Sequence, residues 1–465
     1  MTPDVDSRSR AGPGPTRSAP PIDNLANQSV VSLEEIDTRM KNHKMRLVAL
    51  FAGAAIFAAA CGGTTATTAP ASEAPAATEA PAATEAPAES MAPESMAPAA
   101  EPLSGEITLW HSYGSGGGET GAFMKTLGAI TAANKDLKVN VVEQPFSDIF
   151  TKWQTDVLAG GGPDMYIAPN DNLFSQADAG ALADLTTALE GKLEGFNQVA
   201  VDGSKVDGKM FMVPESLKAV AMWYDKSKVT TPPATTDELL AAVKSGAALL
   251  GLNQNAYHNF GLSGAFGGTL MDDTGKCVAD QTTGWADSYK FMADLKAAGA
   301  KFYTDGNALK QDFQTGKLNA VFDGPWQTAD FTKALGENLA VAPIPAGTGK
   351  ANPLTGTDGW YLNPNSENLE LATKLALQLV GTASAQTMTN DAGHVPAAPG
   401  VTISSPIVQG FADAAAAGLP RPQRAEFNNY WGGFGDALNR VLDKGEDPTA
   451  AIATACKSMN EANGK

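Results

Sequence analysis

From residue 104 to the C-terminus the hydrophobic positions switch repeatedly between two periods. Residues 106–110 alternate apolar and polar side chains, the pattern of a half-buried strand. A glycine-rich loop follows at 114–121, and then Phe123, Leu127 and Ile130 recur at helical spacing. Residues 138–143 predict a second strand, and 149–158 a helix that Gly160-Gly161-Gly162-Pro163 ends. Met165-Tyr166-Ile167 predicts a third strand. This β-α-β-α-β order implies a parallel sheet with helices on both faces. The alternation resumes with a strand at 219–224, helices at 237–244 and 283–298, and a short strand at 319–322. A helix at 369–380 carries Leu371, Leu375 and Leu379 on one face, and 427–442 and 449–459 predict terminal helices. The segment 104–465 exceeds a single typical core. The expected fold class is therefore α/β with two lobes, each a mainly parallel sheet flanked by helices.

The N-terminal part has another pattern. Lys41, Lys44 and Arg46 precede an unbroken apolar run, 47–60, and Cys61-Gly62-Gly63 follows it. A basic start, a short apolar stretch and small residues describe an export signal. A spanning helix needs about 20 apolar residues, more than this run offers. Cys61 after Ala58-Ala59-Ala60 resembles the lipobox of bacterial lipoproteins, which implies cleavage at 60 and a lipid on Cys61. Ala58 departs from that motif, which favours Leu there, and a plain secretory signal is the alternative reading. Residues 1–39 are Pro- and Ser-rich without apolar periodicity. They read as disordered or as a mis-called start, with Met40 and Met45 as candidate true starts.

Residues 61–103 repeat Ser72-Glu73-Ala74-Pro75, Thr78-Glu79-Ala80-Pro81 and Thr84-Glu85-Ala86-Pro87, then Glu89-Ser90-Met91-Ala92-Pro93 and Glu94-Ser95-Met96-Ala97-Pro98. Frequent proline blocks helix and sheet alike. Ala, Thr and Glu offer too little apolar surface to offset ordering entropy. This is a semi-extended acidic tether, and at about 3.1 Å per residue its reach is on the order of 100 Å.

Charge and motifs then remove function classes. The net charge is −18, from 51 acidic and 33 basic residues, with no basic cluster beyond the signal, so nucleic acid is not an expected partner. Gly116, Gly118 and Gly121 match a dinucleotide fingerprint, with Glu143 at the end of the next strand. An exported chain and the crowding of glycines argue against a cofactor; such a loop equally offers N–H groups to polar ligand oxygens. The four histidines, His43, His111, His258 and His394, are not paired at metal-ligand spacing. No cofactor and no metal are expected, and no catalytic constellation is named. Cys277 and Cys456 either pair in an oxidising compartment or remain two buried thiols.

Aromatic placement carries more. Trp110 and Tyr113 lie at the end of the first strand, and Trp326 follows a Gly-Pro step. Trp360 follows Thr357-Asp358-Gly359, and Trp431 follows Asn428-Asn429-Tyr430. In open α/β sheets ligands bind beyond the carboxyl ends of the strands. Aromatic faces beside amides, carboxyls and hydroxyls suit a sugar, which has C–H faces and a hydroxyl rim. Each such contact contributes about 0.5–1.5 kcal/mol beyond area burial.

Several blocks together resemble the maltose/sugar-binding family of extracellular solute-binding proteins of ABC transporters. They are Gly162-Pro163-Asp164-Met165-Tyr166-Ile167 with Gly180-Ala181-Leu182-Ala183-Asp184-Leu185; Val213-Pro214 through Met222-Trp223-Tyr224-Asp225-Lys226; Phe313-Gln314-Thr315-Gly316-Lys317 through Asp323-Gly324-Pro325-Trp326; and Gly393-His394-Val395-Pro396-Ala397. The resemblance implies a periplasmic-binding-protein-like fold with the ligand cleft between lobes. It places lobe 1 at 104–216 plus 357–401 and lobe 2 at 217–356 plus 402–465. Hinge crossings fall near 216–218, 351–357 and 401–405. It implies a monomeric, non-enzymatic receptor, anchored by lipid outside the cytoplasmic membrane or held in the periplasm, that delivers a carbohydrate to an ABC permease. Carried over residue by residue, Asp171 accepts sugar hydroxyls, and Trp326, Tyr257 and Trp431 line the cleft. Trp110, Tyr113, Asp358 and Trp360 fall on strand-end segments around it. Ala168 and Pro169 stand where a maltose binder has an aromatic, which opens that side. The alternative is a non-sugar polar solute such as a polyamine, suggested by Asp171, Asp323 and Asp358. An exported carbohydrate-active enzyme is a third reading.

Overall fold

Strand β1 (Gly105–His111) shows why the first lobe is layered. Ile107 and Leu109 join one hydrophobic cluster, while Trp110 joins another on the opposite face. Successive side chains of a strand point to opposite faces, so a sheet buried on both sides needs both kinds of cover. The computed structural model describes residues 102–114 and 117–465. Cys61, its signal and the tether up to residue 101 lie outside the described residues; Leu103, read as the end of the tether, is instead buried in the first-lobe core.

After β1 the chain continues through α1 (Gly118–Ala133), β2 (Leu137–Glu143), α2 (Phe146–Leu158), β3 (Met165–Pro169), α3 (Leu173–Asp178) and α4 (Gln198–Asp202). A two-stranded hairpin, β4 (Lys205–Val206) and β5 (Lys209–Met210), precedes β6 (Val213–Lys218). Then come β7 (Ala221–Asp225), α5 (Thr236–Lys244), β8 (Leu250–Asn253), α6 (Ala256–Ala265), α7 (Gly284–Ala298), β9 (Lys301–Tyr303), α8 (Gly306–Gln314), β10 (Ala320–Asp323), α9 (Thr328–Leu335) and β11 (Leu339–Ala342). The remainder is β12 (Leu354–Leu362), α10 (Leu369–Val380), α11 (Thr382–Ala392), β13 (Val395–Pro396), α12 (Pro406–Ala417), β14 (Leu419–Pro420), α13 (Ala425–Asn428), α14 (Tyr430–Lys444) and α15 (Pro448–Ala462).

Two sheets result. The first has the order β13-β6-β12-β3-β1-β2, with β14 pairing the start of β12; the second is β11-β7-β10-β8-β9. Strands joined by helical crossovers are parallel: β1 with β2 and β3, and β8 with β9 and β10. Pairs involving the crossing strands are antiparallel: β12 with β3 and β6, and β7 with β10 and β11. Each sheet is thus mixed, because a chain that leaves a lobe and returns must enter from the opposite end. The chain passes from the first sheet to the second between Lys218 and Ala221, and back between Ala342 and Leu354.

Helices cover both faces. In the first lobe, Phe123, Leu127 and Ile130 of α1 and Leu375 and Leu379 of α10 pack on one side. Ile149, Trp153 and Val157 of α2 pack on the other. In the second, α7 and the terminal helices bury Trp285, Met292, Phe434 and Ile452 on one face. Phe313, Phe331 and Phe411 cover the opposite face. A disulfide joins Cys277 to Cys456, which resolves the choice left open by the sequence and ties α15 to the loop before α7.

Candidate functional site

A cavity of about 870 Å³ lies between the two sheets. It opens beyond the carboxyl ends of β1, β3, β8 and β10, where loops rather than strands supply the walls. From the first lobe come Tyr113, the turn Gly117–Glu119, Phe146, the end of β3 at 167–169, and Asp171. From the second come the start of α6 at 255–258, Lys310, Trp326 and Asp330. Lys218 and Asp358 project from the crossing strands, and Arg421 and Trp431 from the C-terminal segment.

One wall is aromatic. Tyr257 lies 6.2 Å from Trp326 and 6.5 Å from Trp431, centroid to centroid. Trp326 sits in a single 3₁₀ turn, Pro325–Gln327, directly after β10. Its indole fills the space beside Gly324, where any Cβ would come within 2.0 Å of the ring. Glycine is needed there because the ring folds back onto the backbone. Cations face the same wall: the Arg421 guanidinium lies 5.3 Å from the Tyr257 ring and 5.5 Å from Trp431, and Lys218 Nζ lies 5.7 Å from Trp326. These distances fit cation–π attraction.

The floor is a network of buried charges. Lys218 Nζ donates to Asp358 at 2.6 Å and to Glu119 at 3.2 Å. His394 Nε2 lies 2.9 Å from Glu119, and its Nδ1 lies 2.9 Å from Glu215. With a carboxylate at each ring nitrogen, both nitrogens donate and the ring is an imidazolium. Burial alone would lower the His394 pKa, but Glu215 and Glu119 push it up to about 10. Burial would raise that of Glu119, but Lys218 and His394 hold it down at about 2. Lys218 is likewise held charged against burial by Asp358 and Glu119. Burial raises Asp358 despite Lys218. Asp358 lines the cavity, and one of its oxygens, Oδ1, is buried without a hydrogen-bond partner. A second ion pair, Arg421 with Asp171, closes the floor near the end of β3.

The structure brings Tyr113, Asp171, Tyr257, Trp326, Asp358 and Trp431 of the expected residues onto this cavity. Two others are corrected. Trp360 is 1% exposed and packs against Phe123 at 5.8 Å; Trp110 is 7% exposed and lies in the α2-side core. The cause is depth along the strand. Trp360 pairs with Ile167 and Trp110 with Tyr166, inside the sheet, whereas Asp358 pairs with Pro169 at its cleft end. Burying an indole in the interior of the sheet is ordinary core packing.

Residues that the sequence reading passed over include Glu119, Phe146, Lys218, Lys310, Asp330 and Arg421. Arg421 stands between two prolines, an unusual setting that was a usable signal. The glycines of the fingerprint have another use. Gly118 lines the cavity beside its neighbour Gly117, and it abuts Ala329 of the second lobe.

Residues 125–416 match the family described as bacterial extracellular solute-binding protein, and the chain belongs to that family. It is 24% identical over 390 residues to the galactooligosaccharide-binding protein of Bacillus subtilis, covering 78% of this chain and 91% of that one. It is 26% identical over 273 residues to the maltooligosaccharide ABC transporter solute-binding lipoprotein of Streptococcus pneumoniae, covering 53% of this chain and 62% of that one. Among solved structures, the Thermus thermophilus maltotriose binding protein bound with maltotriose superposes with a TM-score of 0.71 at 24% identity, covering 77% of this chain and all, 100%, of that one. These relatives are binding proteins by name, and the family description is extracellular.

Proposed function

We propose that this chain is a lipid-anchored receptor that captures a carbohydrate outside the cytoplasmic membrane and delivers it to an ABC importer. One observation carries the reading: an interlobe cavity with an aromatic wall, Tyr257, Trp326 and Trp431, above a floor of fixed charge pairs. Stacking faces meet the C–H faces of a sugar, and carboxylates and cations meet its hydroxyl rim. The named ligands of the relatives point the same way. The lobes are taken as 104–216 plus 357–401 and 217–356 plus 402–465, closing about the crossing segments by a hinge motion. A monomer docked on a permease, and a lipid on Cys61, complete the proposal.

A binding role rather than catalysis is supported by the state of the cleft carboxylates. Glu119 and Asp358 engage Lys218, Asp171 engages Arg421, and Asp330 engages Lys310. A carboxylate committed to a cation is poorly placed as a general acid or base. The same pairing weakens the polyamine alternative. Asp171 and Asp358 already have cationic partners, and Asp323 accepts from the Gly324 N–H at 2.8 Å and faces His258 at 3.3 Å. Thermal unfolding with maltooligosaccharides, galactooligosaccharides and polyamines tests the reading. A bound sugar at 100 times Kd stabilises by about 2.7 kcal/mol. Stabilisation by polyamines and by no sugar would overturn the reading, as would turnover of the sugar.

A further inference from the structure

Arg421 is 5% exposed, and a guanidinium is costly to bury unless its surroundings compensate. The backbone delivers it there firmly. Its N–H donates to the Thr355 carbonyl at 2.9 Å, next to the pairing of β14 with β12, and Pro420 and Pro422 flank it. The side chain runs against the crossing strand β12, where a Cβ on Gly356 would lie 3.3 Å from one guanidinium nitrogen.

What surrounds this group is a receptor for an organic cation. The rings of Tyr257 and Trp431 lie 5.3 and 5.5 Å from its central carbon. The Asp171 carboxylate pairs with it, and Asn170 Oδ1 accepts from Nη1 at 3.3 Å. Its Nε is buried without a hydrogen-bond partner among the described residues, so ring faces and the oxygens beyond β3 hold the charge. Aromatic faces together with a carboxylate are the chemistry that recognises ammonium and guanidinium groups. The parts come from distant segments: Asn170 and Asp171 follow β3, Tyr257 stands in the first turn of α6, and Trp431 in that of α14. Asp171, Tyr257, Arg421 and Trp431 all line the cavity, so this cation site is continuous with the space for ligand.

We infer that Arg421 is a specificity-determining residue: a built-in cation that occupies the cleft's own site for organic cations and shuts amines and guanidines out. The residue excludes them by filling the site, not because the cleft lacks the groups to bind them. Shortened to a small neutral side chain, it leaves a carboxylate beside two aromatic faces, and a free guanidinium fits the space vacated. The inference goes beyond the receptor reading, since it concerns what the cleft refuses, and no sugar enters its test.

Titration of the full chain with methylguanidinium, followed by tryptophan fluorescence and thermal midpoint against sodium chloride at equal ionic strength, tests this. Arg421→Ala is expected to bind methylguanidinium saturably and roughly ten-fold more tightly than the parent. The parent and Arg421→Lys keep a cation in place and are expected to give no saturable response. Adding Asp171→Asn to Arg421→Ala is expected to abolish the gain, because the carboxylate is then missing. Should Arg421→Ala not fold unaided, its refolding yield is read against methylguanidinium instead, and is expected to rise to a plateau that sodium chloride does not produce. No response in the folded variant, a flat refolding yield, an equal response in the parent, or a response that survives Asp171→Asn each overturns the inference. A chain that binds no sugar overturns the receptor reading alone and leaves these outcomes unchanged.

Discussion

A Cβ built on Gly118 would lie 1.9 Å from the Cβ of Ala329, so the first residue of α1 and the second of α9 meet with no space for a side chain between them. These helices belong to different lobes. Gly393 makes the same demand nearby, since a Cβ there would fall 2.4 Å from Thr328. The lobes thus touch through two glycines of one lobe and the N-terminus of one helix of the other, beside the crossing strand β6, whose Lys218 bonds Glu119. Close packing of this kind does not deform smoothly; it separates.

Gly118→Val is accordingly expected to hold the lobes apart. Affinity for the ligand should fall, although position 118 does not need to touch it. Thermal stability without ligand should hold, because the strain is relieved by opening. Solution scattering with and without sugar checks this: the parent should compact on binding and the variant should not.

His394 stabilises the fold only while it is charged. It is 1% exposed between Glu119 and Glu215, and its folded pKa of about 10 exceeds the ordinary value of 6.5. A raised pKa means that the folded state binds the proton more tightly than the unfolded state. The contribution is complete below pH 6.5 and is lost as pH rises through about 10. Glu119 works in the opposite direction: its pKa of about 2 against 4.5 gives stability present above pH 4.5 and lost as pH falls toward 2. His394→Ala leaves two buried carboxylates short of a cation and should cost about 3–5 kcal/mol at neutral pH. Its stability should also lack the alkaline fall of the parent, which denaturant titrations at several pH values will reveal.

The tryptophans separate into two kinds by environment. Trp326→Ala should weaken sugar binding by about 2 kcal/mol with little change in thermal midpoint. Trp360→Ala should do the reverse, destabilising by about 3–5 kcal/mol because a fully buried indole leaves a cavity. Parallel calorimetric titration and thermal unfolding distinguish them; a binding loss confined to the Trp360 variant would contradict the assigned geometry.

Cys456→Ser removes the disulfide that closes α15 onto the second lobe. The expected cost is about 2–4 kcal/mol, from the freer unfolded chain. Comparing unfolding of the parent with and without a thiol reductant measures it, and the variant should be indifferent to the reductant.

Cys61 is expected at the mature N-terminus bearing lipid. Mass spectrometry of the purified protein should find an acylated cysteine at that end, and Cys61→Ser should release the chain from membranes. A soluble parent starting at an unmodified residue would establish a secreted receptor instead.

The residues that were legible in advance share a property: their environment is local. The helical spacing that predicts 369–380 reproduces α10 because an amphipathic face repeats within one element. Trp326 was legible because a Gly-Pro step ends a strand and projects the next side chain outward. Trp110 and Trp360 misled because distance from a strand end was read from neighbouring turn residues, and pairing register sets it instead. The charged floor had no local signal at all. Glu119 and His394 are 275 positions apart, and His394 and Glu215 are 179 apart.

The sequence by itself therefore determined the β-α-β-α-β alternation that opens the first lobe, the helix at 369–380 and the terminal helices, and the placing of aromatics near strand ends. These follow from periodicity and composition, which act over a few residues. Only the tertiary structure decided which aromatics face the ligand, that Lys218 and His394 are shared among three carboxylates, that Cys277 meets Cys456, and that Gly118 must lack a side chain. Each of these depends on segments brought together by the crossing strands, and contact between distant segments is a property of packing that no local pattern encodes.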